Sequence, residues 1–80
     1  MKLFLIEQSI NNHYDTYDSA VVAAPDGEIA RLMQPRNGEL TQDNDQFNSW
    51  TGPENVAVTF LGDADTGISQ GVICASYNAG

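Results

Sequence analysis

The chain has 80 residues, with eleven Asp and Glu against three Lys and Arg, so its formal net charge is −8 at pH 7. A chain of this length makes one domain, residues 1–80, whose core is too small to support separate cofactor and substrate domains. The acidity disfavours direct binding to nucleic acid or to anionic lipid, because both are themselves negatively charged. It is compatible with solubility alone or with attraction to a basic surface on another protein.

The apolar segments are short, and the chain has one cysteine. The first apolar run, residues 3–6, ends at Glu7, which is too short for a transmembrane helix or for the apolar region of a signal peptide. A single cysteine excludes an internal disulfide and fits a reducing compartment. We therefore expect a cytoplasmic protein without a membrane segment.

Two strands are predicted in the first part of the chain. Residues 2–7 carry Leu3 and Leu5 on one face and Phe4 and Ile6 on the other, which predicts an interior strand covered on both sides. A connection rich in turn-forming residues then leads to a second strand over residues 19–24, where Val21 and its neighbour are β-branched.

A helix is predicted over residues 26–34. Asp26 is suited to its N-cap, and Pro35 is expected to end it, because the residue before a proline is disfavoured in the α conformation. The apolar stripe of this helix, at i, i+3 and i+4 spacing, consists of Ile29, Leu32 and Met33. The side chains predicted to point away from that stripe are Glu28, Arg31 and Gln34.

Residues 35–55 are mostly polar, and two interpretations stay open. Asp43 and Gln46 have capping-box spacing, so we expect a short helical turn over residues 43–49. Phe47 and Trp50 would anchor this turn to the sheet. The alternative is a functional surface loop.

Two further strands are predicted, over residues 56–62 and 71–77, with a loop over residues 63–70 between them. The first strand alternates regularly, with Val58 and Phe60 on one face. In the second, Val72 and Cys74 share a face, and Cys74 is expected to be a small core residue. The order β-β-α-β-β, a helix between two hairpins, predicts an α+β fold in two layers. Its sheet is four-stranded and mainly antiparallel, with one main helix on one face.

The sequence contains no convincing catalytic or metal-binding pattern. The Asp-Thr-Gly tripeptide at residues 65–67 occurs in aspartic proteases, but here it lacks the apolar frame of such sites and is more typical of a turn. The aspartate pairs at residues 43/45 and 63/65 lack the ligand spacing of a calcium loop. One histidine, His13, and one cysteine are too few for a zinc site. We therefore predict a non-enzymatic protein with no cofactor and no metal.

Residues 14–18, Tyr-Asp-Thr-Tyr-Asp, are the most distinctive local feature. Tyrosines offer rigid contact area and aspartates offer charge, as at protein-protein hot spots. The alternative is structural, with tyrosines packed over the end of a hairpin. Together with the acidic loop, this segment gives the predicted partner-binding residues, which are Tyr14, Asp15, Tyr17, Asp18, Asp63 and Asp65.

Several segments together resemble a group of small proteins encoded by tailed bacteriophages. These segments are residues 2–6, residues 14–24 (Tyr-Asp-Thr-Tyr-Asp-Ser-Ala-Val-Val-Ala-Ala), Ala30-Arg31, Trp50, Leu61-Gly62 and residues 71–80 (Gly-Val-Ile-Cys-Ala-Ser-Tyr-Asn-Ala-Gly). The group has no assigned enzymatic activity, so the resemblance implies no catalytic residue.

The resemblance implies a protein that binds host machinery in the host bacterial cytoplasm. By class it is similar to small anti-CRISPR proteins, several of which resemble DNA in charge and occupy a basic groove. The hypothesis is an inhibitor of a host defence complex, such as a CRISPR effector complex. The alternative is a structural or accessory phage protein that self-associates as a homodimer or larger assembly through an uncovered sheet face.

Overall fold

The computed structural model describes residues 1–12, 14–42 and 49–78, and these residues form one four-stranded antiparallel sheet and one short α-helix. The elements are β1 (Lys2–Glu7), β2 (Thr16–Ala24), α1 (Gly27–Leu32), a 3-10 turn (Pro53–Asn55), β3 (Ala57–Asp63) and β4 (Gly71–Asn78). The predicted α+β class and the order β-β-α-β-β are confirmed. No helix in this part of the chain is long and apolar enough to cross a bilayer.

The strand order across the sheet is β3-β1-β2-β4. β1 and β2 form a hairpin, in which Lys2 lies opposite Ala24 and Glu7 lies opposite Ser19. β3 pairs with β1, and β4 pairs with β2. The prediction of a second hairpin is therefore wrong, because the last two strands each pair with a central strand and not with each other. The connection over residues 64–70 carries the chain from one edge of the sheet to the other.

The core lies between α1 and one face of the sheet. Its buried side chains are Phe4, Ile6, Ala20, Val22, Ala24, Ala30, Met33, Trp50 and Val56. The opposite face, which we call the open face, consists of Leu3, Leu5, Ser19, Val21 and Cys74, by the register of the central strands. Because Leu3 and Leu5 are only half-buried, the prediction that β1 is covered on both sides is wrong.

The helix begins at the predicted cap, since Oδ1 of Asp26 accepts a hydrogen bond from the Ile29 backbone N–H at 2.9 Å. It ends at Leu32, before the predicted boundary, because Met33 is already extended and forms an isolated bridge with Leu40. Met33 is nevertheless fully buried, whereas Ile29 and Leu32 are half-buried. Met33, which follows the helix, is thus the most deeply buried residue of the predicted apolar stripe.

Arg31, which the sequence predicts to point away from the apolar stripe, contacts the segment that precedes β3. Its side chain is half-buried, and Nη1 donates to the backbone carbonyl oxygens of Pro53 and Val56. The guanidinium therefore ties the last turn of the helix to the 3-10 turn that precedes β3. A helical pattern cannot reveal this contact, because its partners are backbone atoms more than twenty residues away.

The outer pairing changes two predicted boundaries. β2 starts at Thr16, before the predicted residue 19, because Thr16 and Tyr17 pair with Asn78 and Tyr77 at the end of β4. For the same reason β4 extends to Asn78. These pairings join positions some sixty residues apart, so no local pattern indicates them.

A β-bulge in β4 changes which side chains share a face. The register shifts between Val21 and Val22, which leaves Ile73 without a cross-strand partner. Val72 packs against the core, whereas Cys74 lies opposite Val21 and is exposed. The predictions that Cys74 is a core residue and that it shares a face with Val72 are therefore wrong.

Trp50 is 2% exposed and belongs to the core, as predicted for the segment before β3. Phe47, the capping pair Asp43 and Gln46, and nearly all of the predicted helical turn lie outside the described residues. The same is true of Asp45 and His13.

Candidate functional site

The predicted partner-binding residues lie at opposite ends of the sheet. Asp18 precedes Ser19, which is opposite Glu7, whereas Asp63 is opposite Lys2. The five residue steps that separate the two ends of β1 span about 17 Å, at roughly 3.3 Å per residue. The six residues therefore do not form one acidic patch, and the two ends are described separately.

At the Glu7 end, residues from four parts of the chain line a cavity of about 270 Å³, which we call the tyrosine notch. Its lining consists of Asp15, Tyr17, Arg36, Ser49 and Tyr77. Two of these residues, Asp15 and Tyr17, are among the predicted site residues. The structure thus brings together two of the five residues of the 14–18 segment with Tyr77 of β4.

Asp15 is held in a fixed orientation. Its backbone φ is 62°, in the left-handed region that a short polar side chain tolerates better than most. Its N–H donates to the Asn78 carbonyl oxygen at 2.6 Å, and its Oδ1 accepts from the Tyr77 hydroxyl at 3.1 Å. Backbone and side chain together therefore direct the carboxylate towards the notch.

The two tyrosine rings form an aromatic corner. Tyr17 and Tyr77 are cross-strand partners, with ring centroids 4.8 Å apart and ring planes inclined by 58°. The Tyr17 N–H donates to the Ser49 carbonyl oxygen at 2.8 Å, which fixes the start of β2 against the segment before Trp50. Desolvation, followed by the hydrogen bond and charge of Asp15, raises the pKa of Tyr77, because each of them disfavours the phenolate.

The other two predicted residues at this end lie outside the notch. Tyr14 is 74% exposed. Asp18 is the extra residue of a bulge between Tyr17 and Ser19, and its Oδ1 accepts from the Ser19 hydroxyl at 3.4 Å. The bulge turns the Asp18 side chain away from the regular alternation of β2.

The acidic loop at the Lys2 end forms a turn. The Ile68 N–H donates to the Asp65 carbonyl oxygen at 3.0 Å. The Asp-Thr-Gly tripeptide therefore lies in a turn, as its sequence predicts. Asp63 and Asp65 are both exposed. Within residues 1–12, 14–42 and 49–78, no group of three His, Cys, Asp or Glu side chains is arranged to hold a metal ion.

A second concavity, of about 610 Å³, lies beside the turn that follows α1. Its described lining is mostly polar and includes Arg36, Asn37, Glu39 and Gln70. These side chains offer hydrogen bonds and charge, and no described lining residue is a His or Cys.

Charge is distributed asymmetrically over the surface. Every acid that the structure describes is exposed, namely Glu7, Asp15, Asp18, Asp26, Glu28, Glu39, Glu54, Asp63 and Asp65. Of the three cations, Arg31 is engaged with backbone carbonyls, and Lys2 and Arg36 are exposed. Exposed carboxylates therefore greatly outnumber exposed cations on the part of the surface that the structure describes.

Sequence reasoning missed Tyr77 and Arg36 as notch residues. Tyr77 is separated from Asp15 by 62 positions, and only the pairing of β4 with β2 brings them together. No family model, no curated protein and no solved structure matches this chain. The site is therefore interpreted from its own chemistry, as a surface that presents carboxylates and tyrosine rings.

Proposed function

We propose that the protein is a non-enzymatic inhibitor that binds a basic surface of a host defence complex, in the manner of anti-CRISPR proteins. The observation that carries this proposal is the exposure of all the described acids on a chain of net charge −8. A surface of this sign accelerates encounter with clustered Lys and Arg, such as those lining a nucleic-acid groove. The resemblance to phage proteins provides the host-directed context.

In the proposed complex, the acids attract the partner because they are negatively charged. They do not reproduce the spacing of the phosphates of DNA. Duplex DNA carries one negative charge per roughly 1.7 Å of helix axis. The acids here are much sparser, because they are scattered over a particle of 35 × 27 × 18 Å. Asp15 and Asp18 at one end, and Asp63 and Asp65 at the other, would therefore face two separate groups of cations.

The test is binding of the purified protein to purified CRISPR effector complexes at low and at high salt. We expect binding that weakens as salt is raised, because screening shortens the range of the attraction. The double variants Asp15→Asn/Asp18→Asn and Asp63→Asn/Asp65→Asn should each weaken binding. The control Glu28→Gln/Glu39→Gln removes the same charge elsewhere and should weaken it less. Absence of salt-sensitive binding to any complex would remove the proposal.

A second candidate function, self-association of a structural or accessory protein, is favoured by the open face. Leu3, Leu5 and Val21 lie on this face half-buried, where the uncovered side of an antiparallel sheet is usually polar. A standard interface buries roughly 800 Å² per partner, so self-association would have to involve the face around these residues and not a single side chain.

Salt dependence separates the two candidates. A dimer of two acidic chains should strengthen as salt screens their repulsion, which is the opposite of binding to a basic partner. Sedimentation equilibrium at two salt concentrations measures this, with Leu5→Ser as a variant that interrupts the open face. A monomer under both conditions would exclude self-association.

A further inference from the structure

The carboxylate of Asp15 is oriented, and no cationic side chain among residues 1–12, 14–42 and 49–78 neutralises it. Its Oδ1 accepts from the Tyr77 hydroxyl, which supplies a hydrogen bond and no positive charge. Arg36 lines the same notch, yet among the described residues it forms no ion pair with Asp15. A fixed, exposed carboxylate beside a cavity can therefore still bind a cationic group of another molecule.

The rings of Tyr17 and Tyr77 add to this capacity. Their centroids are 4.8 Å apart, their planes are inclined by 58°, and both residues line the notch with Asp15. Ring faces carry negative electrostatic potential and attract a Lys or Arg group within about 6 Å of the centroid. The carboxylate and the rings therefore both favour a positively charged ligand.

The size of the notch limits the ligand. A volume of about 270 Å³ corresponds to roughly nine water molecules at about 30 Å³ each. That is enough for one long side chain and too little for a helix or a folded loop. The occupant that fits both size and charge is a single Lys or Arg side chain.

We propose that the tyrosine notch binds one Lys or Arg side chain of a protein partner, with Asp15 as the counter-ion and the rings of Tyr17 and Tyr77 as its walls. This inference rests on the proposed function and identifies the anchor point of the partner. Arg36 also lines the notch, and as a like charge it should reduce the affinity of the site for this side chain.

The experiment is an NMR titration of the full chain with the peptide acetyl-Gly-Arg-Gly-amide. The matched control peptide carries citrulline, which has nearly the same shape as arginine and no charge. We expect saturable shifts of the Tyr17 and Tyr77 ring signals and of the Asp15 amide, with the arginine peptide only. Shifts that are spread equally over all exposed acids, or that are equal for citrulline, would overturn the proposal.

Variants identify the parts of the site. Asp15→Asn should weaken the arginine peptide about threefold to fivefold, as for loss of an exposed ion pair, whereas Glu28→Gln should leave its affinity unchanged. Tyr77→Leu should weaken binding of the arginine peptide because one aromatic ring is lost. Arg36→Gln should strengthen that binding because a like charge is removed. If Arg36→Gln instead abolishes folding or lowers the affinity for the peptide, Arg36 itself occupies the notch in the folded protein and the proposal fails.

Failure of the notch proposal can be distinguished from failure of the proposed function. Binding of a defence complex that persists unchanged in Asp15→Asn and Tyr77→Leu would retain the function and remove the notch as its anchor. Saturable binding of the arginine peptide, without binding to any defence complex, would retain the notch and remove the proposed target.

Discussion

At the scale of single residues, Asp15 is held by contacts that its own sequence neighbours do not supply. It adopts the left-handed conformation with φ of 62°, and its backbone and side chain both bond to the end of β4. An unfavourable backbone conformation persists only where surrounding contacts determine it. The pairing of β2 with β4 thus determines the direction of the carboxylate.

The first prediction concerns the pKa of Tyr77. Desolvation and the neighbouring Asp15 raise this pKa, so Asp15→Asn should lower it towards its ordinary value. The absorbance of the phenolate measures the titration, and Tyr77→Phe identifies which transition belongs to this residue. An unchanged alkaline transition in Asp15→Asn would contradict the contact.

The same shift has a consequence for stability at alkaline pH. The pKa of Tyr77 is higher in the folded chain, so the contribution to stability is complete below the unfolded pKa and is lost as pH rises through the folded pKa. The alkaline loss of stability should therefore be smaller in Tyr77→Phe than in the wild type. Urea unfolding at neutral and at alkaline pH provides the measurement.

The third prediction tests the helix cap. Asp26 accepts a hydrogen bond from the Ile29 N–H, and Asp26→Ala should reduce the free energy of unfolding by about 1 kcal/mol. Asp26→Asn keeps an acceptor at the cap and should be nearly neutral. Equal urea midpoints for the alanine and wild-type proteins would show that this short helix does not depend on its cap.

At the scale of elements, local patterns predicted what local physics determines. The alternation in β1 and the cap before α1 gave correct positions, because side-chain period and capping act within a few residues. The pairing of β4 with β2, the bulge at Ile73 and the contacts of Arg31 depend on distant partners. For that reason the sequence placed Asp15 and Tyr17 in a candidate site but could not add Tyr77.

Arg31 provides the prediction at this scale. Arg31→Met keeps most of the side-chain stem but leaves the Pro53 and Val56 carbonyl oxygens without their donor. We expect a loss of about 1–3 kcal/mol in the free energy of unfolding. Arg36→Met changes the net charge equally at an exposed position and should cost less than about 0.5 kcal/mol. Equal urea midpoints for the two variants would show that the hydrogen bonds of Arg31 to these carbonyls do not stabilise the fold.

At the scale of the whole molecule, a small core is combined with a large excess of one charge. A domain of this size retains only roughly 3–5 kcal/mol of net stability from its core. The exposed acids repel one another, and this self-repulsion opposes the compact state. The charge that is proposed to attract a partner therefore also lowers the stability of the free protein.

The last prediction follows from the range of that repulsion. The Debye length is about 30 Å at 0.01 M salt and about 8 Å at 0.15 M, whereas the protein measures 35 × 27 × 18 Å. At the lower salt concentration, acids at opposite ends of the sheet repel each other, and at the higher one only neighbours do. Sodium chloride over this interval should therefore raise the urea midpoint without changing the slope of the unfolding curve.

The control is Glu28→Gln/Glu39→Gln, which removes two of the exposed acids away from the notch. It should have a higher midpoint than the wild type at low salt and gain less from added salt, because less repulsion remains to be screened. A wild-type midpoint that is constant or falls over the same interval would show that the acids are too sparse to destabilise the fold. In that case the negative surface would have no measurable cost to the free protein, and the link between its stability and its proposed attraction to a basic partner would be lost.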